Sequence, residues 1–149
     1  MAETATTRNR PGRQRSEAVD QAILAATLDA LTEDGYGGLT MASVIARSGV
    51  SSATLYRRWP TKQQLVAAAL ASLHPAIVDV DTGSLEGDIA AFVRSVALSM
   101  TPQRDELRQD VAVALSANPD FRAAVNEKFV VPRVLVLGHV LDRAMARGE

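Results

Sequence analysis

Apolar positions in this chain recur every three or four residues, and no stretch alternates polar with apolar residues as a half-buried strand would. Val19, Ile23, Ala26 and Ala30 are spaced 4, 3 and 4 apart, with Leu24, Leu28 and Leu31 widening the stripe. That pattern predicts a broad-faced amphipathic helix from Ser16, its N-cap, to about Asp34, with Gly35 as its stop and Tyr36-Gly37-Gly38 as a turn. Leu39 tucks back into the core. Thr40 is placed to cap a second helix running to about Ser48, with Val44, Ile45 and Ala46 facing inward. A third runs from Ser51 to about Trp59 around Leu55, and Pro60 ends it. Thr61-Lys62-Gln63-Gln64 reads as a capping box opening a fourth helix through Leu65, Val66, Leu70 and Leu73, which Pro75 breaks.

The pattern loosens at Asp79 to Gly83, a loop, after which Ser84 is placed to cap a fifth helix carrying Ile89, Phe92, Val93 and Val96 and ending near Met100. Thr101-Pro102 and Asn118-Pro119 each join a cap residue to Pro at the first helical position. They open a sixth helix with Leu107, Val111 and Leu115, and a seventh with Phe121, Val125 and Phe129. Pro132 lies inside the seventh pattern and predicts a kink or short break, beyond which Val134 to Met145 resumes an apolar helix. The expected fold is all-α.

Ser48-Gly49-Val50-Ser51 stands between the second and third helices. Gly49 can end the former in the left-handed conformation, and Ser51 can accept from the free N–H groups of the latter. Two short helices joined by a tight Gly-containing turn, the second rich in exposed polar and basic groups, form the helix-turn-helix pattern, whose second helix enters the DNA major groove.

Charge changes this picture only when it is divided. The 149 residues sum to −1, but residues 1 to 75 hold eight Lys/Arg and six Asp/Glu (+2), and residues 76 to 149 hold eight and eleven (−3). Arg8, Arg10, Arg13 and Arg15 precede the first helix, while Arg57, Arg58 and Lys62 lie just past the hinge, the clustering that phosphate contacts need. The first fifteen residues are polar and read as a flexible basic arm, with a terminal tag as the alternative for Arg8 and Arg10. With no Cys and two His, no catalytic constellation, metal-ligand set or cofactor motif can be assembled, so an enzyme is disfavoured. No apolar run approaches the roughly 18 residues of a membrane span, and no signal-peptide core is present, which leads to a cytoplasmic expectation.

The residues Ile23-Leu24-Ala25-Ala26, Gly35-Tyr36, Leu39-Thr40-Met41, Ile45-Ala46, Gly49-Val50-Ser51, Thr54-Leu55-Tyr56-Arg57-Arg58-Trp59-Pro60 and Lys62 with Leu65 resemble the TetR family of bacterial transcriptional regulators in order and spacing. They span about residues 17 to 70. Ala53 and Trp59 are mild departures from its commoner Gly and Phe. Beyond them the resemblance lies in helix pattern and in the closing Arg143 to Glu149. It implies a flexible basic arm at 1–15, a DNA-binding head at 16–60, a connecting helix at 61–75 and an effector-binding and dimerisation domain at 76–149. Family members usually carry two further helices, so the last domain is expected to be incomplete.

The resemblance also implies a ligand-responsive repressor that binds a palindromic duplex operator as a homodimer. Ser52, Ala53 and Arg57 would lie nearest the base edges; Thr40, Ser51, Thr54, Tyr56, Arg58 and Lys62 would make phosphate or mixed contacts. A small-molecule effector would meet Phe92, Val96, Met100, Leu107, Val111, Leu115, Phe121, Val125, Phe129 and His139. Plainer explanations stand beside these. Capping accounts for Ser51 and Thr61, packing for Leu55, Ile45, Val50 and Trp59, and either packing or contact for Tyr56. Arg57, Arg58 and Lys62 could form a solvated face, the effector residues could be ordinary core, and the helix-turn-helix could be scaffold in a helical interaction module or in a regulator without an effector.

Overall fold

The computed structural model describes residues 11–74, 76–98 and 105–149. They form α1 (Pro11–Gly38), α2 (Met41–Ser48), α3 (Ser52–Arg58), α4 (Lys62–Ser72), α5 (Leu85–Leu98), α6 (Asp105–Ala117), α7 (Pro119–Val125) and α8 (Val131–Arg147), with a π-helical turn at Asn126–Val130 between the last two. The fold is all-α, as the apolar spacing predicts.

Several expected boundaries move. The first helix begins at Pro11 rather than Ser16, so residues 11–15, expected in the arm, are helical. Proline's fixed φ suits a first helical turn, where its missing N–H costs nothing. Residues 1–10 of that arm lie outside the described residues, as do Pro75, Met100 and the Thr101-Pro102 start. At Gly35 the chain leaves helical geometry (φ +68), and Tyr36 to Gly38 add one more helical turn where a plain turn was expected. Ala46 is exposed rather than inward, while Val44 is fully buried. The anticipated break near Pro132 takes the form of the π-helical turn that precedes it. Proline supplies no N–H and crowds the carbonyl four residues back, and the wider turn relieves that conflict without ending the helix.

One hydrophobic core runs through the first half of the chain, from α1 to α4, and into α6 and α7. Ile23, Ala30 and Leu31 of α1, Val44, Leu55, and Leu65, Val66 and Ala67 of α4 are sealed from solvent, and Phe121 of α7 joins them. Thr27 is also buried, its hydroxyl satisfied by the Ile23 carbonyl at 2.8 Å. The head therefore shares its core with α6 and α7 and is not a separately packed unit. By contrast, α5 packs on α8. No helix among the described residues is long and apolar enough to cross a membrane.

Candidate nucleic-acid interface

The angle between α2 and α3 is built by three local devices. Thr40 accepts from the Ser43 N–H at 3.1 Å while Ser43 Oγ accepts from the Thr40 N–H at 3.2 Å, a reciprocal box at the start of α2. Gly49 caps the other end at φ +70, and its N–H donates to the Ile45 carbonyl at 3.0 Å. Ser51 Oγ then accepts from the Thr54 N–H at 3.2 Å and lies 2.9 Å from the Thr54 hydroxyl, opening α3. Thr61 caps α4 in the same way, through the Gln64 N–H at 3.2 Å, but only this half of the expected capping box forms.

Leu55 anchors α3 from one side, fully buried. Ser52, Ala53, Tyr56 and Arg57, at helical spacing on the opposite side, are all exposed. Tyr56 keeps 47% of its surface open, large for an aromatic side chain with only packing to do. Among the described residues Arg57 has no ion-pair partner, so its guanidinium is free for a planar acceptor. Thr40 and Ser51 are exposed but spend their hydroxyls on caps; Thr54 is half-buried.

Arg58 and Lys62 are placed differently from Arg57. Arg58 pairs with the Asp20 carboxylate on α1 and lies 3.3 Å from Ser16 Oγ, tying the end of α3 to the first helix. Lys62 stands over the Tyr36 ring, its ammonium 4.4 Å from the centroid, a cation–π contact at the first turn of α4. Burial pushes the Lys62 amine below its ordinary value, and Asp110 pulls it back upward. On α2, Arg47 reaches Glu33 at 2.7 Å and Asp34 at 3.4 Å, holding the Glu33 carboxyl below the usual range. Of the three cations read past the hinge, Arg57 faces outward on α3 while Arg58 and Lys62 brace the head, with Arg47 as a further brace on α2.

Of the residues expected to line an effector site, Phe121 is fully buried and stacks on Tyr36, with ring centroids 4.4 Å apart. Leu107, Val111, Leu115, Val125 and Phe129 flank the same core, and the Phe129 ring meets His74 edge-on at 5.1 Å. Phe92 and Val96 are half-buried on α5. His139 is exposed, with Nδ1 3.3 Å from the Asp79 carboxylate. An open cleft of about 150 Å³ lies where the α3–α4 turn meets α7 and the π-helical turn, lined by Arg58, Trp59, Pro60, Gln64, Ala124, Glu127 and Lys128.

Sequence reasoning missed two carboxylates at this head, Asp20 and Asp110. Asp20 sits one residue past Val19 on α1, a position from which a partner on α3 cannot be foreseen. Asp110 adjoins the apolar stripe of α6 and accepts from the Tyr36 N–H at 2.7 Å.

A short helix, a glycine-capped turn and a second short helix with an outward polar face and an inward anchor define a helix-turn-helix head on a helical body. The model described as bacterial regulatory proteins of the tetR family matches residues 23–69, and that described as the tetracyclin repressor-like C-terminal domain matches residues 79–149. The chain is 33% identical over 140 residues to the DNA-binding transcriptional repressor TetR of Mycobacteroides abscessus, covering 91% of this chain and 72% of that protein. It is 34% identical over 128 residues to an uncharacterised HTH-type transcriptional regulator of Mycobacterium tuberculosis, covering 85% of this chain and 63% of the relative. The HTH-type transcriptional regulator AqdR of Rhodococcus erythropolis is 30% identical over 129 residues, with 85% and 61% covered. The chain belongs to the TetR family, and it spans less than two thirds of the length of several relatives. The C-terminal match carries the kinship past residue 70, where helix pattern and the closing Arg143 to Glu149 had suggested it.

Proposed function

We propose that this protein is a sequence-specific DNA-binding transcriptional repressor whose α3 lies in the major groove of a palindromic operator. The observation that carries the reading is the outward face of α3, where Ser52, Ala53, Tyr56 and an Arg57 without an ion-pair partner among the described residues stand opposite the buried Leu55. Arg57 pairs with a guanine edge through two N–H donors, and the small Ser52 and Ala53 let the helix approach the bases. Thr40, Ser51, Thr54 and Tyr56 follow the backbone, fixing the register.

A homodimer places two such helices about 34–36 Å apart, on successive major grooves. The exposed apolar residues Val134, Leu135, Leu141 and Met145 on α8 support an interface between copies there. Repression is carried over from the name of the M. abscessus relative and the description of the matched C-terminal domain, and a small-molecule effector from the family resemblance. The effector acts by binding the spacing of heads that does not fit DNA.

The test is selection of random duplex DNA on the protein, followed by salt-matched titration of the enriched palindrome. Arg57→Ala is expected to cost about 1–3 kcal/mol at that palindrome and relax the choice of one base pair. Equal affinity of the two proteins removes Arg57 from the base contacts, and a flat salt response with no enriched palindrome removes the DNA reading itself.

A further inference from the structure

Tyr36 stands where four helices meet. Just past the left-handed Gly35, its N–H donates to Asp110 Oδ2 of α6 at 2.7 Å. Tyr36 is buried, and its ring stacks on Phe121 of α7, while Lys62, the first residue of α4, holds its ammonium over the same ring. Lys62 lies three residues beyond Trp59, the C-cap of α3, across a link stiffened by Pro60. Tyr36 is thus joined through Lys62 to the start of α4, next to the end of α3. The bond to Asp110 fastens that chain of contacts to the body, and a carboxylate on a backbone N–H is among the stronger hydrogen bonds a protein makes.

We propose that Asp110 is a positioning residue for DNA reading: its carboxylate clips α6 to the Gly35–Tyr36 break and so sets the angle at which the body presents the outward face of α3. The inference rests on the DNA-binding reading above. A clip of this kind governs discrimination more than fold, because Phe121, Leu65 and Val66 hold the core together without it, whereas two heads reading one palindrome need a defined tilt. Nonspecific phosphate contact tolerates a loose head. Base readout does not.

The experiment uses the full chain, its selected palindrome and a scrambled duplex of equal length at one salt concentration. The readouts are the affinity ratio for the two duplexes, hydrogen exchange of the Tyr36 amide, and helical circular dichroism. Asp110→Ala is expected to keep its helical signal, lose protection at the Tyr36 amide and lower the ratio about tenfold, mostly through weaker palindrome binding. Asp110→Asn keeps an acceptor but loses the charge; it falls between wild type and Asp110→Ala, and it carries the test should Asp110→Ala not fold. A wild-type ratio in either variant that is folded overturns the positioning role. If the wild-type chain itself prefers no palindrome, the DNA reading falls and takes this proposal with it, an outcome visible before any variant is made.

Discussion

Where the head meets α6 and α7, the contact is made by Phe121 on Tyr36, by the sealed Leu65 and Val66, and by the half-buried Leu107, Val111 and Val125, with one carboxylate clip at its edge. Where α5 meets α8, Val140 and Ala144 of α8 are buried, while Val93 of α5 and Val134, Leu135, Leu141 and Met145 of α8 remain open. Charge fastens that second contact. Arg143 grips Asp79 through two N–H groups at 3.0 and 2.8 Å, Arg147 reaches Asp88 at 3.3 Å and Glu149 at 2.7 Å, and Asp88, itself sealed from solvent, accepts from the Thr82 N–H and hydroxyl. The difference teaches which half stays rigid. An apolar seam holds over a wide range of pH and salt, whereas a cluster of half-buried ions around the sealed Asp88 loosens once acid protonates its carboxylates, and its more open pairs are also screened by salt.

Removing the largest piece of the apolar seam breaks the comparison hardest. Phe121→Ala deletes a fully buried ring and its stack on Tyr36, and is expected to cost about 3–5 kcal/mol in denaturant unfolding. Should the loss prove small, head and body are packed more independently than the shared core implies. A smaller effect is expected at the hinge, where Ser51→Ala removes the cap of α3 and costs about 1 kcal/mol, with Leu55 still holding the helix in place.

The charged clip is probed by acid. Arg143 holds the Asp79 carboxyl below its ordinary value, the Thr82 N–H and hydroxyl do the same for Asp88, and the Leu85 N–H for Glu149. A carboxyl lowered in the folded state adds stability that is fully present above its unfolded value, about 3.9–4.3, and is lost as pH falls through the folded value. Amide exchange in residues 85–98 is therefore expected to rise below about pH 4 before exchange in α1 and α4 does. Arg143→Ala should produce the same local loosening at neutral pH with the global unfolding midpoint nearly unmoved. A uniform rise in exchange across all helices would erase the distinction between the two contacts.

Much of this molecule was legible in its sequence because helices, caps and stops are local. The apolar spacing placed the helices, Thr40, Gly49, Ser51 and Thr61 act as the caps their chemistry suggests, and Asn118-Pro119 opens α7 with Asn118 Oδ1 accepting from the Phe121 N–H at 2.9 Å. Leu55 is the anchor its position implied. Errors followed where a residue's role depends on something distant along the chain. Arg57 and Arg58 are adjacent and chemically identical, yet Asp20, 38 residues earlier, claims one of them and leaves the other exposed. Phe121 looks like any core residue or pocket lining until Tyr36 is found against it. Local propensity and periodicity decide which stretches are helical and which faces are apolar, since neighbours three and four residues apart carry that information. Which charge is free, which carboxylate holds the head and which helix faces stay uncovered depend on side chains brought together from opposite ends of the chain, and only the tertiary packing settles them.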